Sequence, residues 1–358
     1  MKLLFVKSDI HSTNESSFYE PIRFNAGTLR DLGHNIQWKS NVTKLQDEAD
    51  ILFLSSHAMA PLWEKIGTRG VLSLIGQFKK YFTKIFWCDL SDSTGTTHFG
   101  VLPLVNKYLK MQVLCDKTSY TKKLYTGRIH GDYYKKLYQL QDEPEIVSHL
   151  NIIPNVSDLE KIHCSWNYGS RYFGIGSQIV LRTANFLNKT IHIKGSWKRP
   201  SALRPRITSC RINTSYRRAS VSKSRSRVCH ILERYIDNTP ISYRKYISEM
   251  ENSLTVVSPF GFGEVCYRDF ELVRAGSVCI KQDMGHLETW PNLWKENHTY
   301  IPMKWDFSNL LQLVESISDR ASEMCTIAQN AQDLYRDKIE MRSKTNHFLE
   351  RFLSIINN

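Results

Sequence analysis

One short stretch gathers the groups needed to hold a nucleotide diphosphate: Ser258, Glu264, Arg268 and Glu271, set around Gly261 and Gly263. A carboxylate accepts hydrogen bonds from both hydroxyls of a ribose, and an arginine forks onto phosphate oxygens. Glycine lets a tight turn bring backbone close to a ligand. Asp283, past the next apolar run, joins this group as a further carboxylate. The bland alternative is an ordinary turn whose Glu and Arg form a surface pair.

A second group could deprotonate a hydroxyl. Transfer to an alcohol needs a base, and Asp89-Leu90-Ser91-Asp92-Ser93-Thr94-Gly95 supplies two carboxylates and three hydroxyls before a glycine. Asp89 and Asp92 read equally well as an Asx-turn with an N-cap. His11, in Lys7-Ser8-Asp9-Ile10-His11, is the next candidate, and His57 follows Ser55-Ser56. Each of these two histidines reads first as a hydrogen-bonded loop residue.

These groups need elements to place them. The apolar run 254–257 suits a buried strand that Ser258-Pro259 ends. A helical pattern then runs from about Glu264 to Gly276, and a strand follows at 278–280. Such a βαβ unit binds ligands beyond its strand carboxyl ends, where helix amino termini attract anions. In the amino-terminal half, strands are expected at 3–7, 36–38, 51–55, 85–89 and 112–115. Helices are expected at 21–32, 72–82 and 102–110. The alternation predicts a doubly wound, largely parallel sheet. Regularity lapses over 151–176, a connection between domains; 191–194 then reads as the first strand of a second domain. A helix is expected at 223–235, with Val228, Ile231, Leu232 and Tyr235 on one face. The Tyr- and Lys-rich stretch 120–138 reads as a solvated helix face, or else as a surface for an anionic lipid or sugar.

The residues resemble the nucleotide-sugar-binding half of GT-B-fold glycosyltransferases. Ser258-Pro259, the glycine turn, Arg268-Asp269-Phe270-Glu271 and Ala275-Gly276 are similar to the exostosin-type signature. A bacterial glycosyltransferase group with a Ser-Pro-Phe-Gly-aromatic-Gly-Glu run is closer still and carries a counterpart of His286-Leu287-Glu288-Thr289-Trp290-Pro291. The close resemblance spans about 240–310, and a looser one spans 85–134. It implies an α/β fold of two Rossmann-like domains facing across a cleft, an acceptor domain at 1–160 and a donor domain at 161–340. Residues 341–358 would form a helix crossing back onto the first domain. It also implies a nucleotide-sugar donor and a glycan or glycolipid acceptor. Retaining members of the fold separate two glutamates by seven residues, whereas Glu264 and Glu271 are separated by six, which favours inversion.

Charge is concentrated. Residues 189–234 hold thirteen Lys and Arg against one acid, Glu233, so this block carries almost all of the net +13. Such a block needs an anionic partner or full solvation. Arg211, Lys223, Arg225 and Arg227 are placed, by charge and position alone, to meet a diphosphate leaving group. Contact with an anionic membrane surface is a further expectation. The competing classes are a nucleic-acid-binding protein built on this block, and a catalytically inactive carbohydrate-binding relative. No binding module surrounds the block, so no nucleic acid is expected. The eight cysteines form no Cys-x-x-Cys pair, the histidines no one-face pair, and no Asp-x-Asp stands out. Neither metal nor cofactor is therefore expected. No apolar run approaches the ~20 residues that span a bilayer, and the opening apolar stretch is too short for a secretory signal. A cytoplasmic protein is expected.

Overall fold

Runs of apolar residues without polar alternation make strands buried on both faces, the mark of parallel sheets covered by helices. The computed structural model describes residues 1–9, 12–45, 48–141, 148–167, 197–339 and 346–357, and two such sheets appear in it. The first contains β1 (Lys2–Val6), β2 (Asn35–Lys39), β3 (Ala49–Ser55), β4 (Phe82–Asp89) and β5 (Lys107–Lys110). After β6 (Gln112–Leu114), which pairs elsewhere, β7 (Ile162–Cys164) completes it in the order β2-β1-β3-β4-β5-β7, all parallel. The second contains β8 (Arg206–Ser209), β9 (Ser253–Val257), β10 (Val278–Gln282) and, after β11 (Leu287–Thr289), β12 (Tyr300–Met303). Its order is β12-β10-β9-β8, again parallel. The fold is thus α/β with two Rossmann-like, doubly wound domains, as the sequence led us to expect.

Local expectations are corrected in several places. The helix expected at 21–32 is two, Thr13–Phe24 and Ala26–Asp31, because buried Asn25 turns its amide back onto the Pro21 carbonyl at 2.7 Å. The helix expected at 72–82 is the second half of Ser56–Phe78, which breaks at Gly67 with φ 66°. Residues 102–110 are not a helix. A 3-10 turn (Phe99–Leu104) contains Pro103, and β5 follows because Tyr108 and Leu109 are drawn into the ladder with β4. The basic helix begins at Ala219 rather than 223. The strand expected at 191–194 lies outside the described residues. The domain boundary expected at 160 falls inside the first sheet: β7 pairs with β5, so that domain reaches at least Cys164. A three-residue strand carries no periodicity of its own; only the open edge of β5 makes it one.

Three segments cross between the domains. The ribbon β6–β11 takes one strand from each, with Leu287 opposite Leu114 and Thr289 opposite Gln112. The helix Ile129–Tyr138 reaches into the second domain: Tyr134 is buried there, its hydroxyl accepts from Gln282 at 2.9 Å, and its ring stacks on Phe307. The solvated reading of 120–138 therefore holds for exposed Lys122, Lys123 and Lys136 and fails for Tyr134. In return, the helix His347–Asn357 lies on the first domain, with the Phe352 ring 6.5 Å from Phe5, 6.1 Å from Phe53 and 6.0 Å from Trp166. Among the described residues, no helix is long and apolar enough to cross a membrane.

Phe352 is fully buried, so truncation leaves a cavity at the root of this strap. Phe352→Ala should lower stability by about 3–5 kcal/mol in urea unfolding followed by tryptophan fluorescence. A loss below about 1 kcal/mol would mean that the last helix does not dock as described.

Candidate functional site

The turn after β9 is fixed before it meets any ligand. Ser258 donates from its hydroxyl to Asp269 at 2.5 Å, and its carbonyl accepts from buried Lys281 at 3.0 Å. Asp269 also caps the helix Tyr267–Arg274 by accepting from the Cys266 N–H at 2.9 Å. Arg268 is aimed by this network: its Nε donates to Ser258 Oγ at 3.0 Å and its Nη1 to the Arg211 carbonyl at 2.8 Å. Ser258 is therefore an anchor for Arg268 rather than an outward-facing group.

Glu271, one turn along the same helix, accepts from the hydroxyls of Tyr243 at 3.2 Å and Tyr246 at 3.1 Å. Burial raises its pKa, with the tyrosine hydrogen bonds opposing. Both tyrosines line a cavity of about 600 Å³ beyond the carboxyl end of β8, walled also by Ile212, Asn238, Pro240 and Ile241. Asn238 builds one side of it by bonding both the N–H and the carbonyl of Ile212.

The basic block separates by role. Arg211 does not face the turn: its side chain pairs with Glu249 at 2.7 Å and donates to the Thr239 carbonyl at 2.6 Å, which corrects its expected role. Arg225 does reach the turn, because its Nη2 would lie 2.8 Å from a Cβ on Gly261. Burial, and then the charge of Arg268, lower the Arg225 pKa, so two guanidiniums share this space. Lys223 and Arg227 stand exposed on the same helix, in its interior rather than at its start, and neither joins the turn's network. Asp283 is exposed past β10 and accepts from the Gly285 N–H at 2.7 Å.

Glu264 departs furthest from expectation. It is fully buried in the seam between the domains and faces first-domain groups. It accepts from the Thr94 N–H at 3.1 Å, the Thr94 hydroxyl at 2.5 Å and Gln112 at 3.2 Å, with His130 Nδ1 at 3.4 Å. Burial alone would raise its pKa; His130, His286 and Thr94 outweigh that and hold it well below the usual carboxylate range. Burial also pushes the His130 pKa down. Gly263 serves the same seam, since a Cβ there would lie 2.1 Å from the Asp92 carbonyl oxygen. Its close approach is to the other domain, not to a ligand.

The two acids after β4 have opposite surroundings. Asp89 is fully buried, paired with Lys110 at 2.9 Å and bonded by the Tyr108 hydroxyl. Burial would raise its pKa, but Lys110, His98 and Tyr108 hold it far below the usual range. A carboxylate so held is a poor proton acceptor, which corrects the expectation of Asp89 as a base. Asp92 is exposed at the seam beside Gly263, its Oδ1 accepting from Asn14 at 2.5 Å. His57 sits at the start of the helix Ser56–Phe78, with burial lowering its pKa against the pull of Glu15, Asp89 and Asp92. It is thus a neutral imidazole at physiological pH. His11 lies outside the described residues.

Two arginines that sequence reasoning did not single out also meet the turn. The guanidiniums of Arg128, at 4.5 Å, and Arg218, at 4.9 Å, both lie over the Phe262 ring. Arg128 belongs to the first half of the chain, 134 residues from Phe262, and no local spacing signals such a contact. Among the described residues, no group of three or more His, Cys, Asp or Glu could hold a metal ion.

No family model and no curated protein matches the chain. Among solved structures it is similar to a glycosyltransferase from Rickettsia africae ESF-5, at 12% identity and TM-score 0.48, over 99% of this chain and 97% of that one. It is also similar to Anabaena HepE in complex with UDP-glucose, at 10% identity and TM-score 0.40, over 100% of both chains. A third is a variant of S. aureus TarM with one substitution, in complex with fondaparinux, alpha-GlcNAc-glycerol and UDP, at 10% identity and TM-score 0.42. That match covers 86% of this chain and spans 55% of TarM. Likeness this distant says nothing about what this chain binds.

The depressed carboxylates set an acid limit. Glu264 and Asp89 contribute stability that is complete above their unfolded values, 4.5 and 3.8, and is lost as pH falls below them. The urea midpoint of the wild type should fall progressively as pH drops below about 5 and go on falling below pH ~3, and Glu264→Gln should flatten part of that fall. Equal slopes for the two proteins would show that Glu264 is not held as described.

Proposed function

We propose that this chain is a glycosyltransferase, moving a sugar from a nucleotide-sugar donor to a glycan or glycolipid acceptor, with inversion and without a resident metal. The observation that carries this reading is one cavity past the carboxyl ends of a parallel sheet, lined by the two tyrosines that bond Glu271 and by Arg211, whose carbonyl accepts from Arg268. The nucleobase would enter that cavity between Pro240 and Tyr243. The ribose hydroxyls would bond Glu271, displacing the two tyrosine hydroxyls. The diphosphate would meet Arg268 and Arg225 at the glycine turn. Fixed cations aimed at a departing diphosphate stabilise the charge that develops as the glycosidic bond breaks.

Inversion is supported by the direction of Glu264. A retaining enzyme would need a group on the donor side close to the sugar, and both Glu264 oxygens are turned into the seam. A single base on the first domain suffices for inversion, taking the proton from the acceptor hydroxyl as it attacks the anomeric carbon. Asp92 fits that role, being exposed beside the turn, with neutral His57 as the alternative. The nucleic-acid reading has less support, because Arg204 and Arg211 of the basic block are bonded to internal carbonyls and Glu249.

Glu271→Ala should weaken binding of the matching nucleoside diphosphate by about 1–3 kcal/mol with the fold intact; unchanged affinity in titration calorimetry would remove Glu271 from the site. Asp92→Asn should slow transfer by roughly 10²–10⁴-fold at saturating donor while leaving donor affinity as it was. Near-normal turnover would take the base away from Asp92, and the same assay on His57→Ala would then decide whether His57 holds it. Failure of the wild type to bind any nucleoside diphosphate would overturn the whole reading.

A further inference from the structure

We propose that Arg128, a first-domain residue, binds the donor's diphosphate from across the seam, so that both domains grip one anion. The inference rests on the reading above for the identity of that anion. Arg128 is fully buried. Its Nε donates to Thr126 at 3.0 Å and its Nη1 to the Phe262 carbonyl at 2.9 Å. Its Nη2 is buried with no hydrogen-bond partner among the described residues. On the second-domain side of the same turn, the Nε of Arg225 is likewise buried and unpartnered. A buried cationic donor left unsatisfied is strongly unfavourable, and here one belongs to the arginine that bonds the Phe262 carbonyl and one to the arginine that adjoins Gly261.

The surrounding charge points to an anion rather than to a neutral ligand. Arg128 and Arg218 both lie over the Phe262 ring, Arg225 adjoins Gly261, and Arg268 is close enough to lower the Arg225 pKa. Glu264 is the acid whose charge acts on Arg128, and its oxygens are bonded by Thr94 and Gln112. Burial, with Arg218 adding to it and Glu264 opposing, brings the Arg128 pKa down to about 10. Two guanidiniums at adjacent residues of one turn suit two linked phosphates better than a single carboxylate, because each can then take its own pair of oxygens. The same geometry makes anion binding an interdomain event: the ligand would join Arg128 to Arg225 across residues that also carry Glu264.

Calorimetry on the full chain tests this with three probes: inorganic pyrophosphate, a nucleoside diphosphate and the corresponding nucleoside. Arg128→Lys keeps the charge and loses the fork. It should weaken pyrophosphate and nucleoside diphosphate by about tenfold to a hundredfold and leave the nucleoside unchanged. Equal affinities of wild type and variant for pyrophosphate would overturn the inference while leaving the donor site standing. Pyrophosphate binding that depends on Arg128 in a protein that binds no nucleotide would keep the anion site and overturn the donor reading. If the variant does not fold, amide exchange of the wild type with and without pyrophosphate decides. Protection at both 124–131 and 213–225 supports the inference, and protection confined to 213–225 overturns it.

Discussion

An ionised carboxylate removed from water must be surrounded by donors, and in this chain the donors for Glu264 come from the opposite domain. Thr94 lies after β4 and Gln112 begins β6, while His130, its Nδ1 3.4 Å away, is in the first turn of the helix Ile129–Tyr138. Each must be in place for the charge to stay buried, because desolvation of a carboxylate costs several kcal/mol unless hydrogen bonds replace the lost water. Parting the domains at this point would break those bonds together. The seam is therefore specified by chemistry as well as by apolar contact. The glycine turn inherits its position from it, since Glu264 directly follows Gly263 and Gly263 lies against the Asp92 carbonyl.

The exchange of segments follows from the same need for a fixed seam. The ribbon β6–β11 holds Gln112 opposite Thr289, which keeps the Gln112 amide aimed at Glu264. The helix Ile129–Tyr138 carries His130 at its near end and roots Tyr134 in the second domain's core. The terminal helix returns to the first sheet through Phe352 and through Lys107, which donates to the Ile355 carbonyl at 2.7 Å. Contacts far apart in sequence thus converge on one surface, whereas the cavity of about 600 Å³ is lined by second-domain residues alone.

Electrostatics explains why the basic block is not simply a basic surface. Arg204 is bonded to the carbonyls of Ser253 and Ala275, and Arg211 is paired with Glu249. Arg218 lies on Phe262, and Arg225 points at the glycine turn. Exposed Lys223 and Arg227 remain on the outer face. Arg204 and Arg211 thus organise the second domain's strand ends, whereas Arg218 and Arg225 stay close to the turn.

What the sequence determined by itself is the local grammar. Apolar runs bounded by Gly and Pro give the strands of both parallel sheets, and the order Ser258-Pro259, Gly261, Gly263, Arg268, Glu271 gives a turn with its helix and the residues that stand beside the cavity. Side-chain type and short spacing are enough for that, because strand, turn and helix are decided within a few residues. Tertiary structure decided which acidic and basic groups remain available. Asp89 and Asp92 are equivalent in sequence, yet only Asp89 meets Lys110, because β5 places that lysine against β4. Arg211 and Arg225 are alike in composition, but Glu249 takes the first. Arg128 has no local signature, and it becomes part of the site through a contact 134 residues distant. Burial and long-range pairing set the state of an ionisable group, and both are properties of the packed molecule rather than of any stretch of chain.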